Sequence, residues 1–128
     1  MDLAPHSGDA AALDAAHRKF QKELASGTVA LVLLAVLDRA GQPMYGYQIA
    51  RRLEADGGAL ANKQSALYPV LRNLDAAGFL TSEVEPSIAG PPRRYYRITP
   101  LGREVLAAWI ATWTATRTAV DSILEDTP

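Results

Sequence analysis

The side chains in this sequence that are best suited to chemistry are cations, and they are concentrated in the middle of the chain. The segment 63–103 holds six Lys and Arg residues against three acids, whereas residues 104–128 hold four acids and one arginine. Guanidinium and ammonium groups contact phosphates, and arginine can also pair with guanine. Because the net charge of the whole chain is −1, we predict that only this middle segment meets an anionic partner.

Catalytic groups are scarce by comparison. The chain has no cysteine, and its histidines, His6 and His17, stand near the N-terminus with no cluster of acids beside them. No glycine-rich phosphate loop follows a strand-like segment. We therefore predict a protein that is not an enzyme and that uses no metal and no cofactor.

The composition also indicates a compartment. A chain without cysteine is typical of a reducing environment, and the first residues lack the basic and apolar regions of a signal peptide. The longest apolar run, residues 29–37, is too short to cross a bilayer. We predict a cytoplasmic protein without a membrane partner.

The N-terminal third predicts a flexible tail followed by helix. Residues 1–12 are rich in Ala, Asp, Pro and Gly, so we expect them to lack fixed structure. Leu13, Phe20 and Leu24 then recur at roughly helical spacing. Residues 28–40 would place apolar side chains on every side of a helix, which predicts that this helix is buried on more than one face.

Two further helices and a hairpin follow. The segments 44–56 and 62–77 each carry one apolar helical stripe, and Gly78 is expected to end the second helix. Pro69 requires that helix either to start late, near Ser65, or to be distorted. The segments 79–85 and 93–99 alternate with the period of strands, and the Pro- and Gly-rich residues 86–92 between them predict a hairpin loop.

The C-terminal part predicts one more helix. Thr99 suits the N-cap position, and Pro100 suits the first helical position. A 3-4 spacing typical of a helix that packs along a partner helix then connects Leu106, Trp109, Trp113, Thr116, Val120 and Ile123. Since the rest of so short a chain cannot cover that whole seam, we predict that a second copy of the chain covers it.

Three helices followed by a β-hairpin form a winged helix-turn-helix, so the predicted fold is mainly α, of the α+β class, with a C-terminal dimerisation helix. The third helix of this fold enters the major groove of DNA, and the hairpin, or wing, lies along the adjacent backbone. The predicted DNA contacts are the polar side chains off the apolar stripe of the third helix and the arginines of the second wing strand. They are Lys63, Gln64, Ser65, Tyr68, Arg72, Arg93, Arg94 and Arg97.

The second wing strand separates its side chains into two faces by alternation: Arg93, Tyr95 and Arg97 on one, and Arg94, Tyr96 and Ile98 on the other. Only one face can pack on the domain, so several of these arginines are expected to be exposed. Any single one of them is also compatible with an ordinary solvated charge, and the DNA-binding prediction depends on the whole set. The tyrosines Tyr47, Tyr95 and Tyr96 are predicted to pack in the core or on the strands.

Three motifs resemble those of the PadR family of transcriptional regulators: PMYGYQIARRL, ALYPVLRNLDAAGFL and GPPRRYYRITPLG, in that order. The resemblance extends from about Leu24 to Trp113. It implies a homodimer in which the last helix packs against its twin and against the N-terminal helix of the other subunit. The single terminal helix is similar to the smaller subgroup of the family. One position differs, because Ala66 stands where many members have Thr or Ser, so a contact from that hydroxyl is lost.

The resemblance further implies a repressor that binds an inverted-repeat operator in double-stranded DNA and is released by a small aromatic effector. The expected division is a tail over residues 1–12, a DNA-binding domain over 13–98 and a dimerisation helix over 99–128. An alternative is a winged helix that serves protein contacts without specific DNA binding, in which case the basic surface is incidental.

The two tryptophans, Trp109 and Trp113, are one helical turn apart on the predicted seam. They could simply fill the space between packed helices. The resemblance implies a second role, because in multidrug-responsive members a tryptophan near the position of Trp113 stacks on flat aromatic ligands. The sequence leaves both interpretations open, and Trp109 and Trp113 are the predicted effector-binding residues.

Overall fold

The computed structural model describes residues 7–55 and 64–126, which form four helices and three strands. In chain order these are α1 (Ser7–Ala40), β1 (Met44–Tyr45), α2 (Gly46–Ala55), α3 (Gln64–Ala76), β2 (Leu80–Glu85), β3 (Arg93–Ile98) and α4 (Pro100–Glu125). Pro69 lies inside α3, which is described from Gln64 onward. The order of helices and hairpin confirms the predicted winged helix-turn-helix with a C-terminal helix.

The first helix is longer than predicted. α1 continues through 34 residues, so the expectation that residues 1–12 lack fixed structure is wrong for residues 7–12. Residues 1–6 lie outside the described part of the chain. The side chains of residues 8–24 are exposed, whereas Leu33, Leu34 and Leu37 are buried. The N-terminal half of α1 therefore extends beyond the core to which its C-terminal part belongs.

The core explains part of the apolar character of α1. By length and composition the helix could cross a bilayer, since an 18-residue window has a mean hydropathy of 1.5, although the run 29–37 alone is too short to do so. Leu33 and Leu34 have no exposed surface in the fold. The C-terminal part of α1 thus belongs to the core, whereas only 22% of the apolar window is buried, so most of its apolar surface is not covered by the described part of the chain.

One hydrophobic core joins the helices to the sheet. The apolar stripe predicted for α3 is confirmed, and that of α2 is confirmed at Ile49 and Leu53, but its predicted first residue, Tyr45, lies in β1 because α2 begins at Gly46. The buried residues include Ile49, Leu53, Leu67, Leu71, Leu74, Leu80, Tyr96, Ile98 and Leu106. Full burial of one aliphatic side chain of this size stabilises a fold by about 1.5–3 kcal/mol. The inner stripe of α3 is therefore anchored, while its opposite side faces outward.

The three strands pair in the antiparallel order β1-β3-β2. β2 and β3 form the wing, with Leu80 opposite Ile98 at its base and Glu85 opposite Arg93 near its tip. The strand β1 has only two residues, and so short a segment shows no periodicity from which it could be predicted. It places Tyr45 beside Tyr95 at the edge of the wing.

The end of α3 and the start of α4 meet at one junction. Gly78, with φ of 86°, follows α3 as predicted, because a left-handed backbone favours glycine there. Thr99 caps α4: its Oγ1 accepts the Gly102 N–H at 3.0 Å and donates to the Gly78 carbonyl oxygen at 2.7 Å. The Thr99 N–H also donates to the Phe79 carbonyl oxygen at 3.1 Å. The position of α4 is thereby tied to the end of α3.

Candidate nucleic-acid interface

The helix α3 has one buried and one exposed side, which is the arrangement a recognition helix needs. Tyr68 and Arg72 are exposed opposite the buried leucines. Lys63 lies outside the described residues, and for Gln64 and Ser65 the backbone alone is described, in the first turn of α3. Tyr68 and Arg72 therefore lie on the side expected of DNA contacts, and the roles of the other three stay predictions.

Tyr68 packs across the N-terminal end of α2. A Cβ atom at Gly46 would stand 2.5 Å from a carbon of the Tyr68 ring, so the contact depends on glycine at this position. The Tyr68 side chain nevertheless remains 46% exposed. At the same end of α2, Gln48 Oε1 accepts the Tyr45 N–H at 3.1 Å and so fixes the residue that precedes the helix. The ring of Tyr68 is thus held in place with one side still open to a ligand.

The outer face of the wing carries arginines, acids and tyrosines together. The strand register sets Arg93 opposite Glu85, Tyr95 opposite Glu83, and Arg97 opposite Thr81. The Arg93 guanidinium lies 4.4 Å from the centre of the Tyr45 ring, and that ring meets Tyr95 edge to face at 5.4 Å. An exposed cation–π contact contributes about 0.5–1 kcal/mol, which favours a defined position for Arg93 at the surface.

The inner face of the wing carries Arg94, and its contacts differ from those of Arg93. Arg94 Nη1 donates to Ser82 Oγ at 3.1 Å, and Ser82 Oγ donates to Asp75 Oδ2 at 2.6 Å. Asp75 belongs to the last turn of α3, so its bond with Ser82 joins the wing to the recognition helix, and the bond from Arg94 holds the Ser82 hydroxyl from within the wing. The predicted alternation of the wing is confirmed, but Arg93 and Arg94 are not equivalent cations. No local sequence pattern indicates Asp75 or Ser82, because their contact depends on how the helix and the strand are placed.

Charges surround Tyr96 where α3 meets the wing. Burial raises the pKa of the Tyr96 hydroxyl above its usual value near 10, Arg94 and Arg72 oppose that rise, and Asp75 adds to it. The hydroxyl is therefore neutral at physiological pH. Tyr96 is buried, and Tyr95 packs on the strands, as predicted for both.

Tyr47 does not pack in the core, so the core alternative of that prediction is wrong, and among the described residues its packing on a strand is limited to Tyr45 of β1. Its side chain is 56% exposed, its hydroxyl accepts from Arg51 Nη1 at 3.2 Å, and its ring stacks near Tyr45 with centroids 6.4 Å apart. Two residues along an α-helix turn the side chain by about 200°. Ile49 is on the buried stripe of α2, so a residue two positions away points to the opposite side. This spacing was the sequence signal that Tyr47 is exposed.

The two tryptophans have different surroundings although they are one turn apart on α4. Trp109 is partly buried and meets Phe79 edge to face, with centroids 6.0 Å apart. Trp113 is 39% exposed, and every residue from Ile110 to the end of α4 is exposed. The predicted seam thus begins in the core of this chain and continues as an uncovered apolar face.

Comparison with known sequences identifies the family. Residues 33–108 match the Transcriptional regulator PadR-like family, a stretch of more than half of the chain that begins within α1 and ends within α4. The chain belongs to the PadR family. The resemblance seen in the three motifs is confirmed, and the chain is a member of a DNA-binding family of transcriptional regulators.

Solved structures share the fold. A PadR family transcriptional regulator from Eggerthella lenta DSM 2243 is 32% identical, with 91% of this chain and 98% of that one covered and a TM-score of 0.78. A transcriptional regulator from Clostridium thermocellum is 25% identical, with coverages of 78% and 96% and a TM-score of 0.69. An uncharacterized protein from Lysinibacillus sphaericus is 25% identical over 96 residues, which is 74% of this chain and 85% of that protein. The two structures are of transcriptional regulators rather than enzymes.

Proposed function

We propose that this PadR family member is a cytoplasmic, sequence-specific repressor that binds double-stranded DNA as a homodimer. The observation that carries the proposal is the exposure of Tyr68 and Arg72 on α3 together with the arginines of the wing that follows it. An α-helix fits the major groove, and cations beside it neutralise phosphates. The full set of proposed contacts comprises Lys63, Gln64, Ser65, Tyr68, Arg72, Arg93, Arg94 and Arg97.

Exposed apolar side chains on α1 and α4 support a dimer. Leu13, Phe20 and Leu24 are 70%, 59% and 51% exposed, and Ile123 is 68% exposed. A domain of this size buries only a limited apolar area within itself. If the apolar faces of α1 and α4 stayed in water, the protein would lose much of the stability that their burial could provide. A second copy supplies faces of the same chemistry, and the twofold axis of such a dimer favours an operator built as an inverted repeat.

We propose further that a small, flat aromatic effector binds beside Trp113, near Trp109, and releases the protein from DNA. An exposed indole on an apolar face offers a stacking surface to a planar ring. Trp109 contacts Phe79, which lies between α3 and β2. A ligand that displaces α4 would therefore displace the end of α3 through this contact, which supports a response at the DNA-binding surface.

Selection of duplexes from a random library by the purified full-length protein tests DNA binding. We expect enrichment of an inverted repeat whose half-sites lie about one helical turn, or a multiple of it, apart. Binding to the enriched duplex should weaken steeply as salt rises, because each phosphate contact releases counterions. A protein that enriches no sequence and shows no salt-dependent binding would instead support the alternative, a winged helix that serves protein contacts.

A further inference from the structure

We propose that Asp75, Ser82 and Arg94 hold the wing at a set angle to the recognition helix, and that this link determines DNA specificity more than DNA affinity. We refer to the three residues as the α3–wing bridge. The specificity role rests on the proposed DNA-binding function, whereas the mechanical role can be tested without DNA.

The bridge lies where the wing leaves the core. Ser82 pairs with Tyr96 across the strands, so Arg94 is its diagonal neighbour on the inner face. Tyr96 is buried, but Val84, one position further along that face, is 53% exposed. The core thus ends at the level of Ser82, and the outer part of the wing projects beyond it. The 2.6 Å bond from Ser82 Oγ to Asp75 Oδ2 secures the wing to α3 at this boundary. The 3.1 Å bond from Arg94 Nη1 to Ser82 Oγ lies within the wing and orients the Ser82 hydroxyl toward Asp75.

An acid at position 75 is unfavourable for electrostatic reasons unless its hydrogen bond with Ser82 compensates. A carboxylate in the last turn of a helix opposes the helix dipole, and α3 has no basic residue in that turn. Asp75 also lies between α3 and the wing, which are both proposed to contact DNA. Its negative charge repels the phosphates of that DNA. Its bond to Ser82 Oγ is charge-assisted and has the length of a strong O–H···O⁻ bond. A role in positioning the wing accounts for an acid at this place.

A fixed wing angle matters more for specific than for non-specific binding. Non-specific binding depends on phosphate contacts, which a mobile wing can still make. Specific binding requires α3 in the major groove and the wing on the backbone in one register. If the wing were free to move, forming the specific complex would require ordering it, at a cost in conformational entropy that the non-specific complex does not fully bear. The bridge lowers this cost because it orders the wing before DNA binds.

The first experiment compares Ser82→Ala with Thr81→Ala, its exposed neighbour on the outer face of β2. Dissociation constants are measured on the duplex that the wild type selects and on a scrambled duplex of equal length. We expect Ser82→Ala to lower the ratio of the two affinities about tenfold, with the salt dependence unchanged, and Thr81→Ala to leave the ratio as in the wild type. Equal ratios for Ser82→Ala and the wild type would overturn the proposal.

A charge substitution separates the bridge from simple electrostatics. Asp75→Asn keeps an acceptor for Ser82 but removes the negative charge, so binding to the scrambled duplex should strengthen while the affinity ratio falls. Combined with Ser82→Ala, its effect on the ratio should be less than additive, because one change weakens and the other removes the same bond between Ser82 and residue 75. Full additivity, or a ratio that rises in Asp75→Asn, would contradict the shared role.

The second experiment needs no DNA. Because the chain has no cysteine, Asn73→Cys on α3 and Glu83→Cys on β2 provide two unique sites for spin labels, diluted with unlabelled chain so that each dimer holds one labelled pair. We expect one narrow distance distribution, which broadens when Ser82→Ala is added and not when Thr81→Ala is added. An unchanged width would overturn the bridge itself. Broadening in a protein that selects no duplex would instead refute the proposed function and the specificity role with it.

Discussion

Replacement of Gly102 by alanine tests how closely α4 approaches the segment between α3 and β2. Gly102 is buried in the first turn of α4. A Cβ atom there would press against the carbonyl oxygen of Phe79 and would stand 2.8 Å from Ile98 Cγ1. The Phe79 oxygen belongs to the backbone and accepts the Thr99 N–H, so it cannot move aside without weakening that hydrogen bond.

The expected loss of stability follows from these contacts. Overpacking of a core costs about 1–3 kcal/mol, and a weakened backbone hydrogen bond costs about 1 kcal/mol. The higher helix propensity of alanine returns about 1 kcal/mol. Because the opposing atom is backbone rather than a flexible side chain, we expect a value near the upper end, about 3 kcal/mol. For a domain of this size that loss corresponds to a Tm lower by roughly 10 °C.

Urea unfolding followed by tryptophan emission measures this effect. Trp109 contacts Phe79, so its emission reports on the same junction, and one protomer concentration must be kept because dimer stability depends on it. Gly8→Ala is the matched control, since a Cβ at that position would meet no described atom within 4 Å apart from its chain neighbours and the adjacent helix backbone. The control should be as stable as the wild type or slightly more so. A Gly102→Ala protein with the stability of the control would refute the close approach inferred here.

Four further predictions concern assembly, DNA contacts, capping and the effector. Sedimentation at micromolar concentration should give twice 13.7 kDa, and a folded monomer would remove the basis for the dimer. Gln64→Ala should weaken binding by roughly 1–3 kcal/mol on the selected duplex and by little on scrambled DNA. Arg93→Ala should weaken binding to both duplexes and reduce the slope of log affinity against log salt concentration by about one. Equal effects of Gln64→Ala on both duplexes would exclude base recognition by Gln64. Thr99→Ala should destabilise the protein by about 1–2 kcal/mol through loss of the α4 cap, and Thr99→Ser should restore most of that in urea unfolding. A panel of phenolics and cationic dyes should include a ligand that quenches tryptophan emission in the wild type and not in Trp113→Ala; no quenching, together with a destabilisation of about 3–5 kcal/mol, would assign Trp113 to packing.

Local chemistry explains which elements were predictable. Gly78 ends α3 and Thr99 starts α4 because a cap depends on the residue type and on neighbours within a few positions. The inner stripe of α3 and the alternation of the wing depend equally on spacing along the chain. These features were sufficient to predict three helices, a hairpin and a terminal helix, and to separate buried leucines from exposed arginines.

Other features depended on how distant elements meet. Periodicity shows which face of an element is apolar, but not which element covers it, so the pairing of β1 with β3 was missed. The early start of α1 was missed for a different reason, because residues 7–12 carry little apolar periodicity. The same holds for the contact of Tyr68 with Gly46.

The family and the overall order of elements were therefore determined by the sequence itself, because both are expressed in motifs and periods along the chain. The tertiary structure alone decided that Arg93 stacks on a tyrosine while Arg94 reaches Ser82 and, through it, Asp75. Adjacent arginines on a strand have the same residue type and nearly the same sequence context. Their partners differ because alternation places Arg93 on the outer face, where Tyr45 of β1 lies, and Arg94 on the inner face, beside Ser82. Only the packing of the wing on α3 brings Asp75 within hydrogen-bonding distance of Ser82.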